Sequence, residues 1–320
     1  MNARELGRTG IPISPIGLGG SQFSEGGLGT FWDLRQSQVD TIVKAALDGG
    51  IRWFDTAEGY GGGRSERGLG AGLADAGAKP GEVVVATKWL PIGRTARNIK
   101  KTIDDRINNL APFPIDLYQI HMPYGSLSSI GAQVRAMGQL AAAHEIGVVG
   151  VSNFSARQME IAHGELAKQG IRLASNQVQI NLLHRKIETN GVLEIARRLG
   201  VTLIAYVPLK SGLLTGKFHA DRDAAAKLPR FRRFLGGLSD TNLDRTAPLI
   251  DGLRSIADAH SATISQIALA WLITYYGDTV VAIPGASKPY QAQEAAAAMK
   301  VTLTSEETQR LADLSTQVMR

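Results

Sequence analysis

Short apolar, β-branched runs recur along the chain, separated by stretches in which apolar positions return every three or four residues. The runs centre near Ile16, Trp53, Val85, Tyr118, Val149, Val178, Ile204 and Val281. The first seven centres lie roughly thirty residues apart, the length of one strand–helix–strand repeat. Helix signals fill the intervals. Ile99, Ile103, Ile107 and Leu110 share one face, with Lys100, Lys101, Asp104 and Asp105 turned elsewhere. Ser155 is placed to cap a helix over 156–168, with Gly170 as its stop, and Ser65 is placed likewise before 66–76. The last interval is much longer. It predicts a basic loop over 208–243 carrying Lys210, Lys217, Arg222, Lys227, Arg230, Arg232 and Arg233, then helices over 244–260 and 263–276. A loop of that length in a compact domain points either to a functional lid or to a solvated insertion. Helices over 289–299 and 304–317 end the chain, and Leu6-Gly7-Arg8-Thr9-Gly10-Ile11 reads as a small hairpin ahead of the first long strand.

Eight strands, each followed by a helix, fit either a closed (β/α)8 barrel or an open doubly wound sheet. The open sheet calls for a glycine-rich nucleotide loop after its first strand. Gly17-Leu18-Gly19-Gly20-Ser21-Gln22 ends in Gln where that loop needs Gly. Gly212-Leu213-Leu214-Thr215-Gly216-Lys217-Phe218 is one residue short of a phosphate loop and places Phe where Ser or Thr is needed. The expectation is therefore a TIM barrel with an N-terminal hairpin and a long loop after strand seven. No linker or composition shift divides residues 1–320, so one domain is expected. Chemistry in a barrel belongs at the C-terminal ends of the strands.

Composition narrows the classes. With no cysteine, disulfide scaffolds, thiolate metal sites and cysteine nucleophiles are excluded. The net charge of +6 is modest for 320 residues, and aromatics are only 6%, not interleaved with basic runs, so nucleic acid is not an expected partner. The longest apolar run, Leu199–Leu209, is well short of the ~18 residues of a membrane span. The polar first ten residues hold no leader-like apolar core. His144-Glu145 lacks the second histidine of a zinc helix, and no GxSxG elbow occurs. A cytoplasmic enzyme without a metal is the expectation.

The strand ends carry the candidates. The second strand runs into Asp55-Thr56-Ala57-Glu58-Gly59-Tyr60-Gly61, the third ends in Lys88 and the fourth in His121. Neighbouring strands are about 4.8 Å apart, so these groups can meet at one barrel mouth. Asp, Tyr, Lys and His together form a proton-transfer set.

These stretches, with Gln119-Ile120-His121, Gly150-Val151-Ser152-Asn153-Phe154, Asn176-Gln177-Val178, Tyr206-Val207-Pro208-Leu209 and Ile283-Pro284-Gly285-Ala286-Ser287, resemble the aldo-keto reductase superfamily over residues 3–318. The resemblance implies a (β/α)8 barrel that moves hydride from NADPH to an aldehyde or ketone. It implies Tyr60 as general acid, Lys88 as the cation beside it, Asp55 as the partner of that lysine and His121 as the group that orients the carbonyl. It further implies Ser152, Asn153 and Gln177 on the nicotinamide carboxamide and Tyr206 stacked on its ring. Pro208, Leu209, Ser211, Leu213 and Lys217 would cover the pyrophosphate, and Gly285, Ser287, Gln291 and Glu294 would hold the adenosine end. Lys288, beside the Ser287 hydroxyl, offers an ammonium to a 2′-phosphate. A nearby ammonium is expected to lower the Tyr60 pKa from about 10.

The chain departs from the family at three places. Ala295 follows Glu294 where Asn is usual, Val207 stands where Ser is common, and the loop from Gly20 to Asp33 lacks the usual Thr-Trp or Thr-Met. Phe23, Phe31, Trp32, Trp89, Met122 and Tyr124 are candidates for an apolar substrate pocket. The competing expectation is a cofactor-binding regulatory subunit resembling the potassium-channel β subunits. His121, which is typically Asn there, and the short stretch ahead of the barrel favour the enzyme.

Overall fold

The computed structural model describes residues 3–24 and 34–319. Two short strands, β1 (Arg4–Glu5) and β2 (Pro12–Ile13), form an antiparallel hairpin. They are followed by β3 (Leu18–Gly19), β4 (Trp53–Asp55), β5 (Val84–Trp89), β6 (Leu117–Ile120), β7 (Val148–Ser152), β8 (Leu173–Gln179), β9 (Thr202–Tyr206) and β10 (Val280–Ile283). These eight pair in chain order and in parallel. Parallel bridges Ile16–Ala282 and Gly19–Gly285 bring the last strand back to the first, with Gly17 N donating to Ala282 O at 2.8 Å. The sheet closes into a (β/α)8 barrel, and every expected strand centre lies in or beside a barrel strand.

The helices outside it are α1 (Gln36–Asp48), α2 (Arg64–Asp75), α3 (Arg97–Lys101), α4 (Ile103–Leu110), α5 (Ile130–Ala142), α6 (Ala156–Ala167) and α7 (Val192–Leu199). After β9 come α8 (Lys217–Ala220), α9 (Arg222–Ala226), α10 (Arg230–Gly236), α11 (Asp240–Ala259) and α12 (Ile264–Tyr275), and after β10 come α13 (Pro289–Ala298) and α14 (Ser305–Met319). Ser155 caps α6 in a reciprocal capping box with Gln158, as its position predicts.

Three expectations need correction. The single helix expected across Ile99–Leu110 is broken at Thr102, whose hydroxyl bonds the Asn98 carbonyl at 2.9 Å and competes with the helical ladder. Ser65 does not cap α2, because its hydroxyl is spent on Gly20 O at 2.6 Å and on Thr56 Oγ1 at 2.7 Å. Gly63, at φ +84°, precedes the helix instead. The segment expected as an unbroken loop over 208–243 is a chain of short helices. A 3₁₀ stretch covers Lys210–Thr215, the Asp221 carboxylate caps α9, Pro229 precedes α10, and Ser239 caps α11 four residues earlier than expected.

Side-chain alternation sorts the core into three parts. Trp53, Ala86, Leu117, Ala174, Ile204 and Val281 fill the barrel with Leu6 and Ile13 of the hairpin. The hairpin seals the N-terminal end of the barrel. Gly7 N donates to Thr202 Oγ1 at 2.9 Å, Arg4 donates to the Val280 carbonyl, and Trp53 Nε1 donates to Ser14 O at 2.9 Å. A larger cluster joins the outer barrel face to the helices. A third, made of Leu213, Phe218, Ala225, Leu238 and Leu243, belongs to the segment after β9, with Leu183 packed against it.

Candidate active site

The strand register assembles the centre. Asp55 lies beside Ala86, and Lys88 beside Gln119. With period-two alternation, Asp55, Lys88 and Gln119 stand one layer above Trp53, Ala86 and Leu117, at the open end of the barrel. Lys88 is fully buried and pairs with Asp55 Oδ1. Its ammonium also donates to Thr56 O at 2.8 Å. The other carboxylate oxygen, Oδ2, accepts from Gln119 Nε2 at 3.0 Å and from Gln177 Nε2 at 2.9 Å. A buried ion pair persists only with its remaining lone pairs satisfied, and these two amides satisfy them.

Tyr60 stands on the turn that leaves β4. Glu58 N donates to Lys88 O at 3.2 Å, Tyr60 N to Ala57 O at 3.0 Å and Gly63 N to Glu58 O at 2.9 Å. Gly61, Gly62 and Gly63 follow at φ +63°, +63° and +84°, a left-handed run that side chains resist. The Glu58 carboxylate fastens the turn to the end of β5, accepting from Leu90 N at 2.5 Å and Arg94 Nη1 at 2.6 Å, and it pairs with Arg106. Arg106 also pairs with Glu66 at 2.8 Å, and Glu66 accepts from Thr87 Oγ1 at 2.7 Å and Asn109 Nδ2 at 2.9 Å. Sequence reasoning gave no role to Glu58, Glu66 or Gln119. Carboxylates on a buried strand-to-helix turn were the one available signal.

The Lys88 ammonium lies 5.1 Å from the Tyr60 ring centroid, and the His121 ring meets Tyr60 edge-on at 5.6 Å and 83°. Burial pushes the Tyr60 phenol above its usual pKa, and the Lys88 charge offsets this only in part. The expected net lowering is therefore not found in the protein alone. Burial acts to lower Lys88, yet Asp55 and Tyr60 together lift it above the usual range, so it stays an ammonium. Burial, then the Lys88 charge, brings His121 down to about 3. His121 is a neutral imidazole, and its Nδ1 is buried with no partner among the described residues.

The residues expected to hold a cofactor fall into neighbouring groups. Ser152 Oγ donates to Gln177 O at 2.9 Å, Asn153 Nδ2 to Ser152 Oγ at 3.0 Å and Tyr206 Oη to Asn153 Oδ1 at 3.0 Å. Pro208 is buried and Leu209 packs against the core, while Lys210 and Ser211 take left-handed φ of +48° and +52°. Lys217 is exposed, its ammonium 5.8 Å from the Phe218 ring centroid. The Leu213 side chain lies wholly inside the small cluster after β9, so only its backbone is left to meet a ligand. At the far end, Gln291 Oε1 accepts from Ser287 N at 2.8 Å, Ser287 Oγ at 3.2 Å and Lys288 N at 3.2 Å. Gly285 abuts Gln22, where a Cβ would lie 2.3 Å from the amide. Burial raises the Glu294 carboxyl, with a hydrogen bond from Thr263 opposing.

The proposed apolar pocket is only partly present. Phe23 and Trp89 are core residues, 2% and 0% exposed, because the barrel wall needs their area more than the mouth does. Met122 is half-buried and Tyr124 exposed. Phe31, Trp32 and the Arg232 side chain lie outside the described residues.

The sequence matches the model of the aldo/keto reductase family over residues 15–316. The chain belongs to that family and is an oxidoreductase of its type. It is 37% identical over 304 residues to an uncharacterized oxidoreductase of Mycobacterium tuberculosis, covering 94% of this chain and 89% of that one. It is 32% identical to a putative voltage-gated potassium channel subunit beta of Schizosaccharomyces pombe, covering 91% and 86%. The glycerol dehydrogenase of Gluconobacter oxydans superposes with a TM-score of 0.80 at 28% identity, covering 98% and 94%. No helix among the described residues is long and apolar enough to cross a membrane.

Proposed function

We propose that this chain, as one barrel domain, reduces an aldehyde or ketone to an alcohol with NADPH, and that Tyr60 delivers the proton. The single observation that carries the reading is the placement of the Tyr60 phenol against a buried Lys88–Asp55 ion pair and a neutral His121. The mouth fits a dinucleotide. It offers the half-buried ring of Tyr206, the exposed amide of Asn153, an unpartnered imidazole nitrogen and the exposed ammonium groups of Lys217 and Lys288. Bound NADPH supplies a hydride to the carbonyl carbon. The residues of the chain do the rest. A phenol held above its usual pKa carries its proton at neutral pH, and the Lys88 ammonium stabilises the tyrosinate left when that proton goes to the carbonyl oxygen. Asp55 holds Lys88 in place. The neutral His121 donates a hydrogen bond that orients the carbonyl. Ser287 and Lys288 favour NADPH over NADH by meeting the 2′-phosphate. The cysteine-free composition fits the expected cytoplasmic location.

Nicotinamide absorbance followed with a panel of aldehydes and ketones tests the reading, with NADPH consumed in step with carbonyl. Fluorescence titration of the two cofactors tests the preference, and equal affinity or tighter NADH overturns that part. The resemblance to the yeast channel subunit supports a second reading, a regulatory cofactor-binding protein. Tight NADPH binding with no turnover on any carbonyl would decide for it.

A further inference from the structure

The geometry points to Gln119 as a positioning residue that divides Asp55 between two tasks, one oxygen for Lys88 and the other for the amide of Gln177. Gln119 has no exposed surface and lies directly beside Lys88 in the β5–β6 register. Its Nε2 donates to Asp55 Oδ2 at 3.0 Å. Its Oε1 faces Gln177 Nε2 at 3.4 Å, and that same nitrogen donates to Asp55 Oδ2 at 2.9 Å. Gln119, Gln177 and Asp55 thus close a triangle inside the barrel. Lys88 meets only Oδ1 and keeps a second hydrogen bond to Thr56 O.

Two consequences follow, both resting on the carbonyl-reduction reading. Two neutral donors on Oδ2 hold part of the carboxylate charge, so Asp55 does not turn both oxygens on Lys88, and the ammonium keeps its influence on Tyr60. The triangle also fixes the Gln177 amide with its nitrogen toward Asp55, which leaves its oxygen as the end open to a partner from the mouth. Gln119 is therefore coupled to the proton donor and to the cofactor-holding amide without touching either reactant.

Gln119→Met keeps the length and volume and removes the amide. Asp55 then draws Lys88 closer, the tyrosinate is less stabilised, and the Tyr60 pKa rises. Since reduction needs the protonated phenol, the alkaline limb of kcat shifts up by about 0.5–1 pH unit, and kcat at neutral pH falls several-fold because the acid is weaker. The NADPH dissociation constant, read by fluorescence titration, rises about twofold as Gln177 loses one of its two acceptors, while the melting temperature falls by only a few degrees for the lost hydrogen bonds. A pH profile and an NADPH affinity that both superpose on the wild type overturn the inference, and so does a loss explained wholly by a lower melting temperature. Gln119→Glu gives a second arm. It keeps the shape but sets an acceptor beside Asp55, and it should disturb both readouts more than Met does. An effect smaller than that of Met also overturns the inference. Tyr60→Phe run in parallel separates the failures. If it retains turnover, the proton-donor reading falls; if it abolishes turnover while Gln119→Met is silent, only the role of Gln119 falls.

Discussion

The interior of the barrel mouth and the lid after β9 are built on opposite terms. Asp55 and Lys88 are buried at 2% and 0% exposure; Asp55 accepts from Lys88, Gln119 and Gln177, and Lys88 donates to Asp55 and to Thr56 O. Their backbones belong to β4 and β5, paired with neighbours on both sides. The lid runs from Val207 to Gly237 in short helices, with left-handed residues at Val207, Lys210 and Ser211 and exposed basic side chains. Leu213, Phe218 and Ala225 pack with Leu238 and Leu243 in a small cluster of their own, while Leu214 and Leu209 tie the start of the segment to the main core. Groups that must hold a fixed geometry gain from paired strands, whereas a segment built of short helices around a small cluster has less to hold it in place.

This contrast can be broken most severely at Lys88. Lys88→Met leaves Asp55 as an unpaired buried charge, so it should cost about 3–5 kcal/mol in urea unfolding as well as turnover. An unfolding midpoint equal to the wild type would show that the pair is solvated and the interior is not rigid in the sense argued. Tyr60→Phe should spare stability and cofactor affinity but lower kcat by about 10²-fold or more. Wild-type turnover would remove Tyr60 from the chemistry.

A third measurement uses pH. The imidazole of His121 has a folded-state pKa of about 3, against about 6.5 when unfolded. Between those values the unfolded chain binds a proton that the folded chain refuses. Stability from this group is complete above about pH 6.5 and falls by about 1.4 kcal/mol for each pH unit below it. Urea midpoints of the wild type and His121→Asn, compared from neutral pH downward, should show the wild type losing stability relative to the variant. Parallel lines would mean that His121 is not held neutral. The smallest expected effect belongs to the lid. NADPH should protect Lys210, Lys217, Lys227 and Arg230 from trypsin with no large change in the unfolding midpoint. An unchanged digestion pattern at saturating cofactor would reduce the lid to an ordinary insertion.

The same contrast explains what could be read from the sequence. Barrel strands announce themselves because β-branched runs buried on both faces have few alternatives, and all eight centres were placed. The positions of Asp55, Lys88 and His121 at one mouth were legible because each lies at or within a residue of the C-terminal end of its strand. The lid was not, because its short helices are set by local caps at Asp221, Pro229 and Ser239 rather than by a long apolar period. Ser65 was misread for a related reason. Its hydroxyl satisfies Gly20 and Thr56, a contact across 45 positions for the first of them that no local pattern records. The charge on Lys88 suggested a lowered Tyr60 pKa, and burial, which has no one-dimensional signature, outweighed it.

The N-terminal hairpin has a consequence for the order of events. Leu6 and Ile13 join Trp53, Leu117, Ile204 and Val281 in the packed interior, so among the described residues the lower end of the barrel is closed. Whatever lies deepest must enter first and depart last. On the proposed reading Tyr206 and Gln177 would hold the nicotinamide, and Tyr60 and His121 would face the carbonyl. The alcohol would then leave by the mouth ahead of the dinucleotide. A floor closed by the packed interior and the hairpin would thereby leave the mouth as the route for both.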